Sequence, residues 1–221
     1  NIIIASRAGL SFNDFLVNLA PIVVVLLIVF VGLCWLMFRK QMSYNPERVE
    51  RVMALNPREA IRDVPLLVKS LVVIGLVLVG FILHSVVNVG PAVIALLGAG
   101  LLVLITRLEP RKIFADVEWE TLVFFGGLFI MVGSLVNLGI IEYVGNVAIE
   151  AIGDNYFGAA VGLLFGSAVV SGIVDNIPYV ATMAPLTSDL VQAGGAAAQP
   201  LWWALALGAD LGGNLTAIGA S

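Results

Sequence analysis

Ser171-Gly172-Ile173-Val174-Asp175-Asn176-Ile177-Pro178 lies within the 109 residues from Ile113 to Ser221, none of which is lysine or arginine. A carboxylate, an amide and a helix breaker in such sequence leave backbone groups unpaired and add a costly side chain. A bilayer tolerates these only where protein or a watery cavity surrounds them. The stretch therefore reads as a transport site inside a membrane domain, and the fold class it points to is an all-α integral membrane protein. Composition agrees. Of 221 residues, 60% are hydrophobic and 12% charged, with mean hydropathy +1.05. That is more apolar surface than a soluble core of this length can hide, and the apolar runs reach bilayer length.

Several function classes drop out. Cys34 and His84 are each the only one of their kind, so there is no internal disulfide, and a zinc cluster would need several carboxylates. No Gly-rich loop ends in Gly-Lys-Ser/Thr, which removes a Walker A nucleotide site and leaves an ion gradient or a partner chain as the energy source. The net charge of −4 says little by itself, because the distribution of charge matters more than its sum. No enzyme, no cofactor and no nucleic-acid partner is expected, and the lipid bilayer is the first partner.

Upstream of the patch, Ser11-Phe12-Asn13-Asp14 resembles a capping box ahead of an apolar span, Phe15 to Phe38, that Pro21 should kink near its start. The span ends at Arg39-Lys40. Residues 39–69 carry seven basic side chains (Arg39, Lys40, Arg48, Arg51, Arg58, Arg62, Lys69) against four acidic ones (Glu47, Glu50, Glu59, Asp63). Asn45-Pro46 and Asn56-Pro57 each place an N-cap before proline at the first helical position, so two short helices are predicted there. Val49, Val52 and Met53 share one face of the first, which suits the membrane surface, although a solvated connector is the plainer account.

Ser70 to Val87 and Val89 to Ile105 are two further apolar spans, joined by a turn at Asn88 and Gly90-Pro91. The next loop holds Arg107, Arg111 and Lys112, and two spans separate it from the first basic loop. Both loops then lie on one side, which the positive-inside rule makes cytoplasmic. Thr121 to Leu138 crosses outward and completes scaffold spans 70–138. Residues 139–153, with Glu142 and Glu150, are too short to span and read as an interfacial helix. Residues 155–193 form two apolar arms around Asp175 to Pro178. A re-entrant hairpin is the expected form; charge parity does not separate it from two short spans. Residues 194–200 read as a flexible loop. Leu201 to Leu211 is a half-span that runs into Gly212-Gly213-Asn214-Leu215-Thr216, a broken helix over 201–221.

Two breaks in consecutive apolar segments make a mid-membrane site, because half-helix N-termini attract anions and freed carbonyls attract cations. The candidate ligands are Asp175, Asn176, Gly213, Asn214 and Thr216. Na+ is possible at Asp175, Asn176 and Asn214, and coupling is possible at Asp175 or Asp210. Plainer roles stand beside these: a water-exposed turn for Asp175 and Asn176, close packing for Gly212, Gly213 and Gly219, and a paired structural carboxylate for Asp210. Ser134 and Asn137 suit bonds between helices, Thr182 a bond to a carbonyl of its own arm, and Glu118, Trp119 and Glu120 an interfacial anchor. His84 reads as a satisfied polar residue near the outer interface rather than a proton relay.

Val117-Glu118-Trp119-Glu120-Thr121-Leu122-Val123-Phe124-Phe125, Ile141-Glu142-Tyr143-Val144-Gly145, Val174-Asp175-Asn176-Ile177-Pro178 and Gly212-Gly213-Asn214-Leu215-Thr216-Ala217-Ile218-Gly219-Ala220-Ser221 together carry a likeness. The chain resembles the ion transporter superfamily, and within it the citrate-transporter-like group that includes arsenite pumps, sodium/proton antiporters and the melanosomal P protein. The resemblance implies two inverted repeats, each with a re-entrant hairpin and a broken helix meeting at the bilayer midplane, and often a homodimer. It matches Asp175 and Asn176 to the second hairpin tip, and Gly213, Asn214 and Thr216 to the following break. Asn1-Ile2-Ile3-Ile4 is similar to the segment after the first repeat's break. The chain, which opens without Met and stops at Ser221, is thus expected to be an internal fragment: 1–38 the end of the first repeat with its last span, 39–69 a connector, and 70–221 a truncated second repeat. The implied function is secondary active transport of a small ion or organic anion, in the plasma (inner) membrane of a prokaryote. A passive anion channel and a non-transporting scaffold or sensor are the alternatives. Asp210-Leu211-Gly212 leans toward arsenite pumps and Glu142-Tyr143-Val144-Gly145 toward the P protein, so the substrate stays open.

The charge bias predicts that residues 39–69 and 106–118 are cytoplasmic and 194–200 outside. In a Cys34→Ala background, a cysteine at Ala197 should react with an impermeant maleimide in intact cells, and one at Arg48 only after permeabilisation. Labelling of position 48 from outside would reverse the topology.

Overall fold

The computed structural model describes residues 1–41, 46–54, 61, 63–107 and 109–216. Among them, helices follow in the order α1 (Ile2–Ala8), α2 (Phe12–Phe38), α3 (Pro46–Met53), α4 (Val64–Val87), α5 (Pro91–Thr106), α6 (Pro110–Ala115), α7 (Trp119–Asn137), α8 (Ile140–Ile152), α9 (Tyr156–Ile173), α10 (Asn176–Gly194) and α11 (Pro200–Gly213). The described residues contain no strand. Helices α2, α4, α7 and α9 are long and apolar enough to cross a membrane, and α5 is a shorter apolar helix. At 1.5 Å per residue, the 27 residues of α2 reach about 40 Å, more than a hydrocarbon core of about 30 Å. Their outward Val, Leu and Ile side chains are exposed, and a bilayer is the solvent that covers such surface. The chain is an all-α integral membrane protein. It divides into two compact units, Ser11–Val117 and the combination of Asn1–Leu10 with Glu118–Ser221.

In the unit Ser11–Val117, the capping box forms as read: the Asp14 carboxylate accepts from the Ser11 amide at 2.7 Å, and Ser11 Oγ accepts from the Asp14 amide at 3.2 Å. Three contacts tie the start of α2 to α4. The Phe12 amide donates to His84 Nε2 at 3.0 Å, Asn13 Nδ2 donates to the Ile82 carbonyl at 3.0 Å, and the Phe12 and Phe81 rings lie 5.7 Å apart. His84 thus finds a backbone partner through Nε2. Pro21 lies inside a continuous α2.

Helix α4 begins at Val64, six residues before the expected start at Ser70, because Asp63 caps it by accepting from the Leu66 amide at 2.9 Å. Lys69, read as part of the connector, is helical; its Nζ reaches the Ile105 carbonyl near the end of α5 at 3.1 Å. A long lysine stem can run along apolar surface and still place its head on a helix C-terminus, so a charge did not mark the helix boundary. Asn88, in the left-handed region at φ 55, turns the chain into α5 as predicted. Helix α3 begins at Pro46 as read, whereas the helix expected after Asn56-Pro57 lies outside the described residues.

In the other unit, the tightest contact is between α9 and α11. A β-carbon on Gly208 would lie 2.5 Å from the Leu164 carbonyl oxygen and 2.6 Å from Ser167 Cβ, and one on Gly212 would collide with the Ala168 carbonyl oxygen. Gly208 and Gly212 on one helix therefore face Ser167 and Ser171 on the other, a four-residue spacing of small residues that lets backbones touch. Ser171 Oγ uses the proximity to donate to the Ala209 carbonyl at 2.9 Å, and Ser167 Oγ shares a 2.9 Å hydrogen bond with the Tyr179 hydroxyl of α10. Helix α10 packs against α1, α7, α8 and α11. Leu128 and Val132 of α7 meet Ala181 of α10 in a small core that Ile3 of α1 and Phe125 also join.

One expectation changes here and another gains detail. Helix α8, read as interfacial, packs one face against α10: Ile141 and Gly145 are buried, and the β-carbon position of Gly145 lies 3.4 Å from Asp189 Oδ2. Residues 194–200, read as a flexible loop, form a 3₁₀ turn, Gly195–Ala198, with Ala198 buried. A run of Gly and Ala can tighten into that turn because it has no side chains to collide.

Gly212→Ala should therefore cost about 1–3 kcal/mol, because the obstructing atom is backbone and cannot swing away. Gly166→Ala, with nothing within 4 Å of the added carbon, is the matched control on α9. Thermal melting of the two variants in detergent decides the point; equal midpoints would contradict the close contact.

Candidate ion and substrate site

The hairpin break is shorter than expected. Helix α9 ends at Ile173, Val174 is extended, and α10 starts at Asn176 with Asp175 as its N-cap. Asn176, Ile177 and Pro178 already belong to the first turn of α10. Proline fits there, since the first turn has no intrahelical use for its missing N–H. The Asp175 carboxylate accepts from the Ile177 amide at 3.3 Å, and its carbonyl accepts from the Tyr179 amide at 3.2 Å. Asn176 is the first residue of α10, at the positive end of its dipole. Thr182 Oγ1 donates to the Pro178 carbonyl at 3.0 Å, within its own arm as read.

The second break comes at the end of α11. After Gly213 the chain turns at Asn214 and Leu215 and bends at Thr216; the continuation of the broken helix beyond 216 lies outside the described residues. The last carbonyls of α11 find local partners. Asn214 Nδ2 donates to the Asp210 carbonyl at 2.8 Å, the Asn214 amide to Leu211 at 3.2 Å, and the Leu215 amide to Gly212 at 2.9 Å.

The two breaks meet. Thr216 Oγ1 donates to the carbonyl of Gly172, one of the last four residues of α9, whose carbonyls lack an intrahelical donor. The β-carbon position of Gly172 lies 3.3 Å from both the Gly212 carbonyl oxygen and Leu215 Cβ, so the hairpin tip rests on the end of α11. This contact joins the Asp175-Asn176 end to the Gly213-Asn214-Thr216 end.

Asn1, matched by resemblance to the segment after the first repeat's break but not named among the candidate ligands, belongs to the same locus. Its Nδ2 donates to Asp210 Oδ2 at 2.9 Å, and α1 behind it is anchored by the fully buried Ile4. Asn1 and Asn214 both commit their NH2 groups to Asp210, one to its carboxylate and one to its carbonyl. The amide oxygen of each remains an acceptor. The negative end of the α11 dipole and the Asp210 carboxylate add to an oxygen-rich surface, which suits a cation or a proton. Ser167, Ser171 and Tyr179 also escaped notice, although the four-residue spacing of the serines matched that of Gly208 and Gly212. Asp189 lies apart, at the α8–α10 contact.

Residues 1–208 match the family model described as a citrate transporter. The chain belongs to the citrate transporter family. An uncharacterized transporter of Mycobacterium tuberculosis is 52% identical over 225 residues, covering 100% of this chain and 52% of the relative. A 46 kDa membrane protein of Mycobacterium leprae is 51% identical over 228 residues, with the same coverage. The P protein of Mus musculus is 40% identical over 196 residues, 83% of this chain and 24% of the relative. The chain thus spans about half the length of its mycobacterial relatives. No solved structure matches it significantly. The citrate-transporter-like group and the P protein, which the motifs resemble, are thus both among the similarities of this citrate transporter family member.

Thr216→Val keeps the shape but strands the Gly172 carbonyl, which should cost about 1–3 kcal/mol, whereas Thr216→Ser should retain most of the stability. Melting curves of both variants in a chain extended past Ser221 test the joint. Wild-type stability in Thr216→Val would mean that the two breaks are not held together by this bond.

Proposed function

We propose that the whole protein is a secondary active transporter that moves a small ion or organic anion across the plasma (inner) membrane of a bacterium, driven by Na+ or H+. The observation that carries this reading is the Thr216–Gly172 contact, which brings two helix breaks together. The citrate transporter family supports a small organic anion such as citrate or a dicarboxylate as first substrate to try, with arsenite and Na+/H+ exchange as further classes. The mycobacterial relatives support the bacterial location. Asn176 at the positive end of α10 is suited to the anion. Gly213, Asn214 and Thr216 supply neutral groups, and Asp175 or Asp210 supplies the carboxylate that a coupling cation or proton neutralises. A homodimer is the assembly proposed with this reading.

The test is uptake by the full-length protein in proteoliposomes under an imposed Na+ or pH gradient, with labelled citrate, arsenite and Na+ as separate probes. Accumulation of one probe against its own gradient is the expected result. Equilibration without accumulation would identify a passive channel, and absence of flux for every probe would leave a scaffold. Asn214→Ala removes a neutral ligand without stranding a charge, and should weaken gradient-driven uptake by about 10-fold, as the loss of one hydrogen-bonding ligand does.

A further inference from the structure

Helix α10 carries three features that work against a straight helix. Pro185 lies inside it and is buried, so the Ala181 carbonyl one turn earlier receives no N–H from position 185, and the proline ring crowds it. Thr182 Oγ1 donates to the Pro178 carbonyl, a bond to the preceding turn of the kind that bends helices. Thr187, two residues past the proline, is fully buried, and its Oγ1 has no hydrogen-bond partner among the described residues. Protein interiors leave few such groups, because a stranded hydroxyl loses its bonds to water and gains none. Val180, Ala184, Leu190 and Val191 share its face at helical spacing; all are buried and apolar, and none has a side chain that could accept. A helical threonine can turn its hydroxyl to the carbonyl four residues back, here Met183, as Thr182 does to Pro178. Thr187 leaves that bond unmade. The proline also divides the neighbours of α10. Before it, Tyr179 bonds Ser167 in the middle of α9, and Ala181 meets Leu128 and Val132 of α7. After it, Leu186 and Asp189 lie on Gly145 of α8, and Gly194 lies against the Tyr156 ring at the start of α9.

We infer that α10 is a jointed helix with a second, bent conformation, in which it folds at Pro185 and Thr187 Oγ1 donates to the Met183 carbonyl. The straight form keeps the packing on both sides of the proline and strands the hydroxyl. The bent form satisfies the hydroxyl, relieves the crowding at the Ala181 carbonyl and loosens the packing on one side. Two forms with opposite defects lie close in free energy, which is what a two-state element requires. The bend moves the hairpin tip, Asp175 and Asn176, while α8 keeps the far half. About nine residues separate the tip from Pro185, an arm of about 14 Å, so a kink of about 20° displaces the tip by about 5 Å. The joint itself rests on the buried hydroxyl and the proline; its use in opening and closing the site rests on the transport reading.

Three measurements on the full-length protein, with its native cysteines replaced by alanine, test the joint. Spin labels on Val174→Cys at the tip and Tyr143→Cys on α8, both exposed positions, read the distance from tip to α8 by pulsed electron paramagnetic resonance. The otherwise unaltered protein should give two populations about 5 Å apart. Thr187→Val, which keeps the shape and has no donor, should retain only the straight one, and Thr187→Ser, which keeps the donor, should show both. Pro185→Ala returns an N–H to the Ala181 carbonyl and should also remove the bent population. In detergent, Thr187→Val should raise the melting midpoint by about 2–4 °C, since it deletes a stranded hydroxyl. A single population without these substitutions, two populations in Thr187→Val, or an unchanged or lowered midpoint in that variant overturns the joint. In proteoliposomes, Thr187→Val should lower gradient-driven uptake of whichever of citrate, arsenite and Na+ is accumulated by about 10-fold, the effect of one hydrogen bond withdrawn from a state the cycle visits, and Thr187→Ser should stay near the unaltered rate. An unaltered rate in Thr187→Val overturns the joint's role in opening the site. Two populations without flux of any probe would retain the joint and defeat the transport reading.

Discussion

The fold depends on where the backbone groups at two helix ends find partners. A helix that stops leaves four carbonyls or four amides without intrahelical bonds, and in apolar surroundings water is not there to take them. At α9 and α11 the solution is mutual. Thr216 serves the end of α9, Asn214 serves the end of α11, and the glycine-to-serine contact along the two helices brings the ends within reach. The polar residues that look costly in the sequence are the ones that make the breaks affordable.

Much of this was legible. The loss of Lys and Arg after Lys112, the apolar run lengths and the Asp-Asn-Ile-Pro interruption were enough to specify a membrane protein with a broken segment, because hydrophobicity and helix chemistry act locally. The Ser11 capping box, the Asn88 turn and the end of the half-span at Gly212-Gly213 are local in the same way. The extent of each break was less legible. Proline at 178 looks like a breaker by composition, yet in the first turn of α10 it breaks nothing, and Asp175 does the terminating. Lys69 misled for the opposite reason, since a charge on a long stem can remain inside a helix.

Which side chains meet between distant segments was not legible, although the resemblance implied that the two breaks come together. No periodicity relates Asn1 to Asp210, or Gly172 to Thr216; each pair meets because α1, α9, α10 and α11 pack together, and only the packed arrangement states which side chains face one another. The site expected from Asp175, Asn176, Gly213, Asn214 and Thr216 therefore gains a member from the other end of the chain. Asp210, which the sequence left between a structural and a coupling role, has the Asn1 side chain as a hydrogen-bond partner.

The contact between α9 and α11 also constrains movement. At Gly208 and Gly212 the two backbones nearly touch, with carbonyl oxygens of one helix occupying the space where side chains of the other would stand. Surfaces that interlock in this way do not slide smoothly, since a shift of one residue would drive side chains such as Leu207 or Leu211 into a backbone. Any rearrangement that exposes the break to one face of the membrane and then the other must carry α9 and α11 as a single lever, and leave the bending to the segments that join them to the rest of the chain.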